Sequence, residues 1–273
     1  MNPALRFFSE FRQIAKTLEA RDFAFLLKET VLNAPAILKS RKLAPLDSRM
    51  CRDMTVRFGN SRLVMPLREI DGILSPLGDN PTFGGVREMY ARNCYLKHLR
   101  LERPLHAVLD LGANRGLFSL LALVELDAEI AVGVEPDRRY DSVFQLLLDA
   151  NQCTARRAPR YTKFISSPLS ERANPDKNVS IQTICREQAV ERFGLVKIDI
   201  EGGEKDVFSE PEWLSSTDNI TMELHHWVGD LSLIPAALDQ YGLTYRLMDQ
   251  EGRKANILTA MFLVASRTGS LRE

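Results

Sequence analysis

Two pairs of polar residues follow apolar runs in the second half of the chain. Asp199 and Glu201 stand two apart in LVKIDIE, and Glu223 and His225 stand two apart in TMELH. Residues two apart in a strand share a face, so each pair projects to one side. Such groups can take a proton from a hydroxyl or hold Mg²⁺ or Mn²⁺. The pattern predicts either a general base or a metal site with Asp199, Glu223 and His225 as ligands.

A glycine-rich turn, DLGANRG at 110–116, follows the apolar run AVLDL. Gly112 and Gly116 permit a tight turn, and the next helix offers free N–H donors at its start. The spacing does not fit G-x-G-x-x-G, and the lysine of a P-loop is missing. The turn therefore predicts a nucleoside ligand better than a pyrophosphate ligand.

An acidic residue, Glu135, ends the next apolar run, IAVGVE, 25 positions after Asp110. In a doubly wound sheet this position faces the same crevice as the glycine turn and can accept hydrogen bonds from both ribose hydroxyls. Together the two features predict nucleoside binding.

Apolar runs and helical segments alternate after Pro104, which is typical of an α/β fold with a doubly wound parallel sheet. The runs predicted as strands are AVLDL, IAVGVE, YTKFIS, LVKIDI, NITMEL, TYRLMD and AMFLVA. Helices are expected between them, two of them at 183–190 and 231–241. If the strands that carry the polar pairs are neighbours, both pairs lie at the carboxyl edge of the sheet, beside the glycine turn.

Three segments are predicted along the chain: a helical N-terminal extension at 1–50, a hairpin and helix at 51–103, and the α/β domain at 104–273. The extension is amphipathic, broken near Pro35, and richer in basic than acidic residues. It can cap the domain, pair two subunits in a homodimer, or contact a membrane surface peripherally. The second segment is expected to be helical over 83–101.

The composition is that of a globular protein, with 45% hydrophobic and 26% charged residues and a formal net charge of +0. A neutral chain has no overall field to attract nucleic acid, so no such partner is expected. The four cysteines are far apart, which fits neither a zinc motif nor a disulfide framework and favours a cytoplasmic location. Neither a signal peptide nor an apolar run of about 20 residues is evident.

The motifs DLGANRG, VEPD, KIDIEGGE and ELHH, in this order, resemble the FkbM family of S-adenosylmethionine-dependent methyltransferases over roughly residues 105–265. The resemblance implies a class I, Rossmann-like methyltransferase fold with a mostly parallel seven-stranded sheet. It also implies O-methylation of a hydroxyl on a sugar, a glycan, or a glycosylated or other secondary metabolite.

The polar pairs supply the catalytic candidates, Asp199, Glu201 and His225, because a hydroxyl acceptor must lose a proton. The resemblance implies the roles of the cofactor-binding residues. The residues expected to bind S-adenosylmethionine are Asp110, Gly112, Ala113, Asn114 and Gly116 at the methionine portion, Glu135 at the ribose, and Ser166 and Ser167 beside the adenine.

Three alternatives compete with this interpretation. A nicotinamide-dependent oxidoreductase would use the same glycine turn and acidic strand end, but KIDIEGGE has no evident role in hydride transfer. A non-catalytic subunit with this fold would need none of the polar pairs. Nucleic-acid methylation is disfavoured by the neutral charge and by the lack of an Asn-Pro-Pro-aromatic motif. The expected partner is thus a small-molecule or glycan acceptor.

Overall fold

The computed structural model describes residues 3–40, 42–153 and 156–272. The chain divides into two compact units, which we call the N-terminal unit (Met1–Cys94 with Ser142–Ala155) and the sheet unit (Tyr95–Asp141 with Arg156–Glu273). This partition differs from the division at residues 50 and 103, which stays a prediction.

The N-terminal unit begins with four helices in the segment where the sequence predicted a helical extension. They are α1 (Pro3–Thr17), α2 (Ala20–Leu32), α3 (Ala34–Ser40) and α4 (Ala44–Asp47). Pro35 is the second residue of α3, where a missing N–H costs no helical hydrogen bond, so the break falls just before it. Ile14, Leu18 and Leu26 are buried, whereas Phe8 and Leu38 are exposed. The membrane-contact and homodimer hypotheses for these helices stay predictions.

A hairpin and two short helices complete this unit before residue 95. The hairpin pairs β1 (Met54–Phe58) with β2 (Ser61–Met65), and α5 (Leu67–Leu74) and α6 (Thr82–Val86) follow. A π-helical turn ends at Ala91. The helix predicted over 83–101 is therefore wrong beyond this point, because Asn93 takes a left-handed φ of 48° that a helix cannot continue through.

The sheet unit is built on a seven-stranded sheet. The strands of the unit are β3 (Ala107–Leu111), β4 (Ile130–Val134), β5 (Arg160–Tyr161), β6 (Phe164–Ile165), β7 (Asn178–Val179), β8 (Leu195–Ile198), β9 (Asn219–Glu223), β10 (Thr244–Met248) and β11 (Phe262–Ser266). Across the large sheet the order is β10-β11-β9-β8-β3-β4-β5. Only the pairings of β11 with β9 and β10 are antiparallel. The mostly parallel, Rossmann-like α/β fold is thus confirmed.

Helices alternate with these strands along the chain. They are α7 (Leu117–Val124), α8 (Asp141–Ala150), α9 (Pro168–Ala173), α10 (Ile181–Gln188), α11 (Glu204–Ser209) and α12 (Leu233–Gln240). From Ser142 onward α8 belongs to the N-terminal unit, and the other five belong to the sheet unit. Leu109, Val196 and Ile220 belong to one buried apolar cluster with side chains from α10, α11 and α12. On the other face, α7 places Phe118 edge-on against Tyr95, with 5.8 Å between ring centroids. The sheet is therefore doubly wound.

The run YTKFIS was predicted as one strand and forms parts of two. Tyr161 pairs with β4 in the large sheet, whereas Phe164 and Ile165 pair with β7 in a separate two-stranded sheet. The chain leaves the large sheet after Tyr161, so only two residues of β5 extend the ladder.

No helix in the described parts of the chain is long and apolar enough to cross a membrane.

Candidate active site

The carboxyl ends of four neighbouring strands meet at one edge of the large sheet. In the order β4-β3-β8-β9, the strands run parallel and end at Val134, Leu111, Ile198 and Glu223. The loop that follows each strand therefore lies at this edge, as the sequence predicted for neighbouring strands. Ligands bind at this edge in open α/β sheets.

The glycine turn after β3 is held close to the loop after β8. Gly112 has a φ of +75°, and a Cβ placed on it would lie 1.7 Å from the carbonyl oxygen of Asp199. Only glycine fits this position, because a side chain would overlap the backbone of the neighbouring loop. The Gly112 and Ala113 N–H groups both donate to the Val134 carbonyl, and Gly116 precedes α7 with a φ of +87°.

Glu135 holds the glycine turn from the end of β4. Its Oε2 accepts the Asn114 N–H and its Oε1 accepts the Asp137 N–H, each at 3.0 Å. Burial raises the pKa of Glu135, and these two backbone hydrogen bonds partly offset the rise. Each carboxylate oxygen has two lone pairs, so the side chain can still accept hydrogen bonds from a ligand.

A buried lysine, Lys197, ties the turn to Asp110 and Asp199. Its Nζ donates to the Gly112 carbonyl at 2.8 Å and lies 3.3 Å from Asp110 Oδ1 and 3.7 Å from Asp199 Oδ2. Burial lowers the pKa of Lys197, but these two carboxylates outweigh burial and raise it above its ordinary value. On its other oxygen, Asp110 accepts the Ser119 hydroxyl at 2.7 Å.

Asp199, Glu201 and His225 form a cluster at the ends of β8 and β9, which we call the polar cluster. His225 Nε2 lies 3.7 Å from Asp199 Oδ1 and 3.7 Å from Glu201 Oε2. The Tyr95 hydroxyl donates to Asp199 Oδ2 at 2.8 Å.

Behind the polar cluster, the fully buried Glu204 contacts His225 Nδ1 through Oε1 at 2.5 Å. Burial lowers the pKa of His225, but the Glu204 contact and the two carboxylates of the cluster outweigh it and raise the pKa. The imidazole is thus oriented by Glu204, with Nε2 directed at the cluster.

The chain from Asp110 to Gly242 matches a known family model. Residues 110–242 match the family described as the methyltransferase FkbM domain. The predicted resemblance to the FkbM methyltransferases is thus confirmed over these residues. A search of curated proteins finds no match to this sequence.

Several solved structures are similar to the matched region and its surroundings. The methyltransferase FkbM from Methylobacillus flagellatus KT is 17% identical, with 73% of this chain and 59% of that chain covered and a TM-score of 0.46. The bifunctional kinase-methyltransferase WbdD is 20% identical, with 60% and 35% covered and a TM-score of 0.38. The METTL16 methyltransferase domain is 11% identical, with 73% and 66% covered and a TM-score of 0.39. The chain thus spans only about a third of the WbdD chain.

The residues of the matched region fit S-adenosylmethionine at the glycine turn. Gly116 ends the turn, and the eight-residue α7 begins directly after it, so the start of a helix lies at the turn. Glu135 offers a carboxylate with spare acceptor capacity beside the turn. These are the groups needed to hold the amino-acid and ribose portions of the cofactor.

Ser166 and Ser167 make their hydrogen bonds at the start of α9. The Ser167 hydroxyl caps α9 by accepting the Ser170 N–H, and it donates to Asp206 Oδ1 at 3.0 Å. The Ser166 hydroxyl donates to the Ser167 carbonyl at 3.2 Å. Both side chains are buried. Their placement beside the adenine stays a prediction.

The structure places Glu201 where the sequence predicted Glu223. Among the described residues, the group able to hold a metal ion is Asp199, Glu201 and His225, with ligand atoms within 4.8 Å of one another. Glu223 pairs with Phe262 inside the sheet ladder, whereas His225 begins a 3-10 turn beyond it. Two residues two apart share a face only within a strand, and β9 ends at Glu223, so the rule does not hold for His225.

Three residues of the site were not predicted from the sequence as site residues. A lysine inside a buried strand is unusual, so Lys197 in LVKIDI carried a usable signal. Glu204 lies in the first turn of α11, and its carboxylate also contacts His225. Tyr95 reaches Asp199 across 104 positions of sequence, and no local pattern indicates such a contact.

Proposed function

We propose that this chain is an S-adenosylmethionine-dependent O-methyltransferase acting on a hydroxyl of a sugar, a glycan, or a glycosylated or other secondary metabolite. The observation that carries the proposal is the direct contact between the glycine turn and the polar cluster. The backbone carbonyl of Asp199 lies so close to Gly112 that no side chain would fit there. A methyl group held at the turn is thus delivered beside Asp199, Glu201 and His225.

The division of labour within the site follows from this contact. Bound S-adenosylmethionine would supply a methyl group on a sulfonium sulfur, which leaves without help from an acid. The glycine turn and Glu135 hold and orient the cofactor, and correct alignment alone accounts for about 7–11 kcal/mol in the best intramolecular reactions. An alcohol is poorly acidic, and the polar cluster is placed to promote loss of its proton.

An exposed aromatic ring supports a sugar as the acceptor. Trp227 is 69% exposed, and its ring centroid lies 4.5 Å from that of His225. Sugar rings have an apolar C–H face that packs on an indole, while their hydroxyls point toward neighbouring polar groups. Trp227 therefore offers a platform from which a ring hydroxyl can reach the polar cluster.

We expect Trp227→Ala to raise KM for a sugar acceptor about tenfold with little change in kcat, because the platform binds ground state and transition state alike. Trp227→Phe should restore most of the affinity. Initial rates with the acceptor found by screening check this result. An unchanged KM in the alanine variant would remove Trp227 from acceptor binding.

The cofactor itself is tested by calorimetric titration of the purified chain with S-adenosylhomocysteine. We expect micromolar binding, no binding of NAD⁺, and a loss of about 10- to 100-fold in affinity for Glu135→Gln, since a hydrogen bond to a charged group contributes about 1.5–3 kcal/mol. The exposed Glu191 precedes β8 and belongs to neither the glycine turn nor the polar cluster, so Glu191→Gln is the matched control.

Each outcome of this titration selects one class of protein. Binding that depends on Glu135 supports the methyltransferase and leads to an acceptor screen. No S-adenosylhomocysteine binding would favour the non-catalytic subunit, and NAD⁺ binding in its place would favour the oxidoreductase.

A further inference from the structure

Three potential ligand atoms of the polar cluster converge without bonding one another. Oxygens of Asp199 and Glu201 and Nε2 of His225 all lie within 4.8 Å of each other. Nε2 is 3.7 Å from the nearest oxygen of each carboxylate, beyond the 2.7–3.2 Å range of N–H···O hydrogen bonds. The imidazole nitrogen thus faces two carboxylates with a gap between them.

The far side of the imidazole is arranged as it is behind metal-bound histidines. Glu204 Oε1 lies at hydrogen-bond distance from His225 Nδ1, so in the neutral tautomer that donates from Nδ1 the Nε2 lone pair faces the gap. Glu204 is fully buried, and its Oε2 has no hydrogen-bond partner among the described residues. A buried carboxylate in this place strengthens the imidazole as a donor to a cation.

The charges around the gap call for a cation. Asp199, Glu201 and Glu204 supply three carboxylates, and the nearby Lys197 is already shared with the buried Asp110. Of these three carboxylates Glu204 is fully buried, and a buried carboxylate is costly unless a positive charge lies nearby.

We propose that Asp199, Glu201 and His225 together hold one divalent cation, Mn²⁺ or Mg²⁺. Two carboxylate oxygens and one imidazole nitrogen fill half of an octahedron and leave positions for water or an acceptor hydroxyl. Ligands about 2.1 Å from such an ion lie about 3.0 Å apart, so binding would draw the two carboxylate oxygens about 0.7 Å closer to Nε2 than the observed 3.7 Å. Use of the ion to acidify an acceptor hydroxyl rests on the proposed function, whereas binding of the ion does not.

The test is titration of the full chain, stripped with EDTA and dialysed, with MnCl₂ while the signal of free Mn²⁺ is followed by electron paramagnetic resonance. We expect one ion per chain, at least about tenfold weaker binding in Glu201→Gln, and about 10- to 100-fold weaker binding in Glu204→Gln. The Glu201 side chain is 75% exposed, so its replacement should leave the fold intact. Glu191→Gln serves as the control and should bind as the wild type does.

Two results would overturn the proposal: no saturable binding up to about 1 mM Mn²⁺, or equal affinity in the wild type and Glu201→Gln. Titration with S-adenosylhomocysteine on the same samples separates this failure from failure of the proposed function. Cofactor binding without Mn²⁺ binding removes only the cation, and Mn²⁺ binding without cofactor binding removes only the methyltransferase.

Discussion

Replacing Asp199 with asparagine should lower kcat for methyl transfer by about 10²- to 10⁴-fold, the usual contribution of a group that assists proton loss. Asp199 is the residue where the site's contacts meet, because its backbone closes on Gly112 and its carboxylate faces His225. Asparagine keeps the side-chain shape and one oxygen that can accept the Tyr95 hydroxyl. It removes the negative charge on which proton loss or cation binding depends.

The measurement is transfer of labelled methyl from S-adenosylmethionine to the acceptor found by screening, together with S-adenosylhomocysteine affinity and thermal stability. We expect the affinity for S-adenosylhomocysteine to stay within about threefold of wild type. Asp199 contacts the glycine turn through its backbone, and the substitution leaves the backbone in place. Asp176→Asn, at an exposed position, is the control. Near-normal turnover in Asp199→Asn would exclude this carboxylate from the reaction.

The parallel sheet and its polar edge were predictable because they depend on local patterns. Buried strands read as continuous apolar runs, and a polar residue at the end of such a run marks the carboxyl edge. From this rule alone, Asp199 and His225 were expected near the glycine turn, and the structure brings them together. The rule holds only within a strand and does not describe the loops that follow. The residue that joins Asp199 and His225 in the polar cluster is therefore Glu201, where Glu223 was expected.

The remaining contacts depend on where distant segments pack. Tyr95 lies in a turn where a helix was expected, and its place beside Asp199 is set by packing against Phe118 and Phe262. The split of β5 from β6 depends on a partner strand, β7, too short to be recognised by periodicity. Such features follow from tertiary contacts that a single sequence does not display.

Lys197→Met should give the largest loss of stability, about 3–5 kcal/mol, because it leaves buried carboxylates without their cation. The Lys197 side chain is 3% exposed and Asp110 is fully buried, so water cannot replace the lost charge. The Gly112 and Leu111 carbonyls lose their side-chain donor as well. Methionine keeps the length of the lysine chain, so the effect measured is loss of charge and hydrogen bonds, and a cavity contributes little.

Chemical and thermal unfolding measure this loss, with a fall in Tm of about 10 °C expected for a chain of this size. The exposed Lys177→Met is the control and should change stability by less than about 0.5 kcal/mol. Adding Asp110→Asn to Lys197→Met should recover part of the loss, because it neutralises the carboxylate that the lysine had balanced. A stability within about 1 kcal/mol of wild type for Lys197→Met would show that the ion pair is dispensable. If stability is low in Lys197→Met and partly restored in the double variant, the main role of Lys197 is to balance the charge of Asp110. Its hydrogen bond to the Gly112 carbonyl then also holds the glycine turn in place.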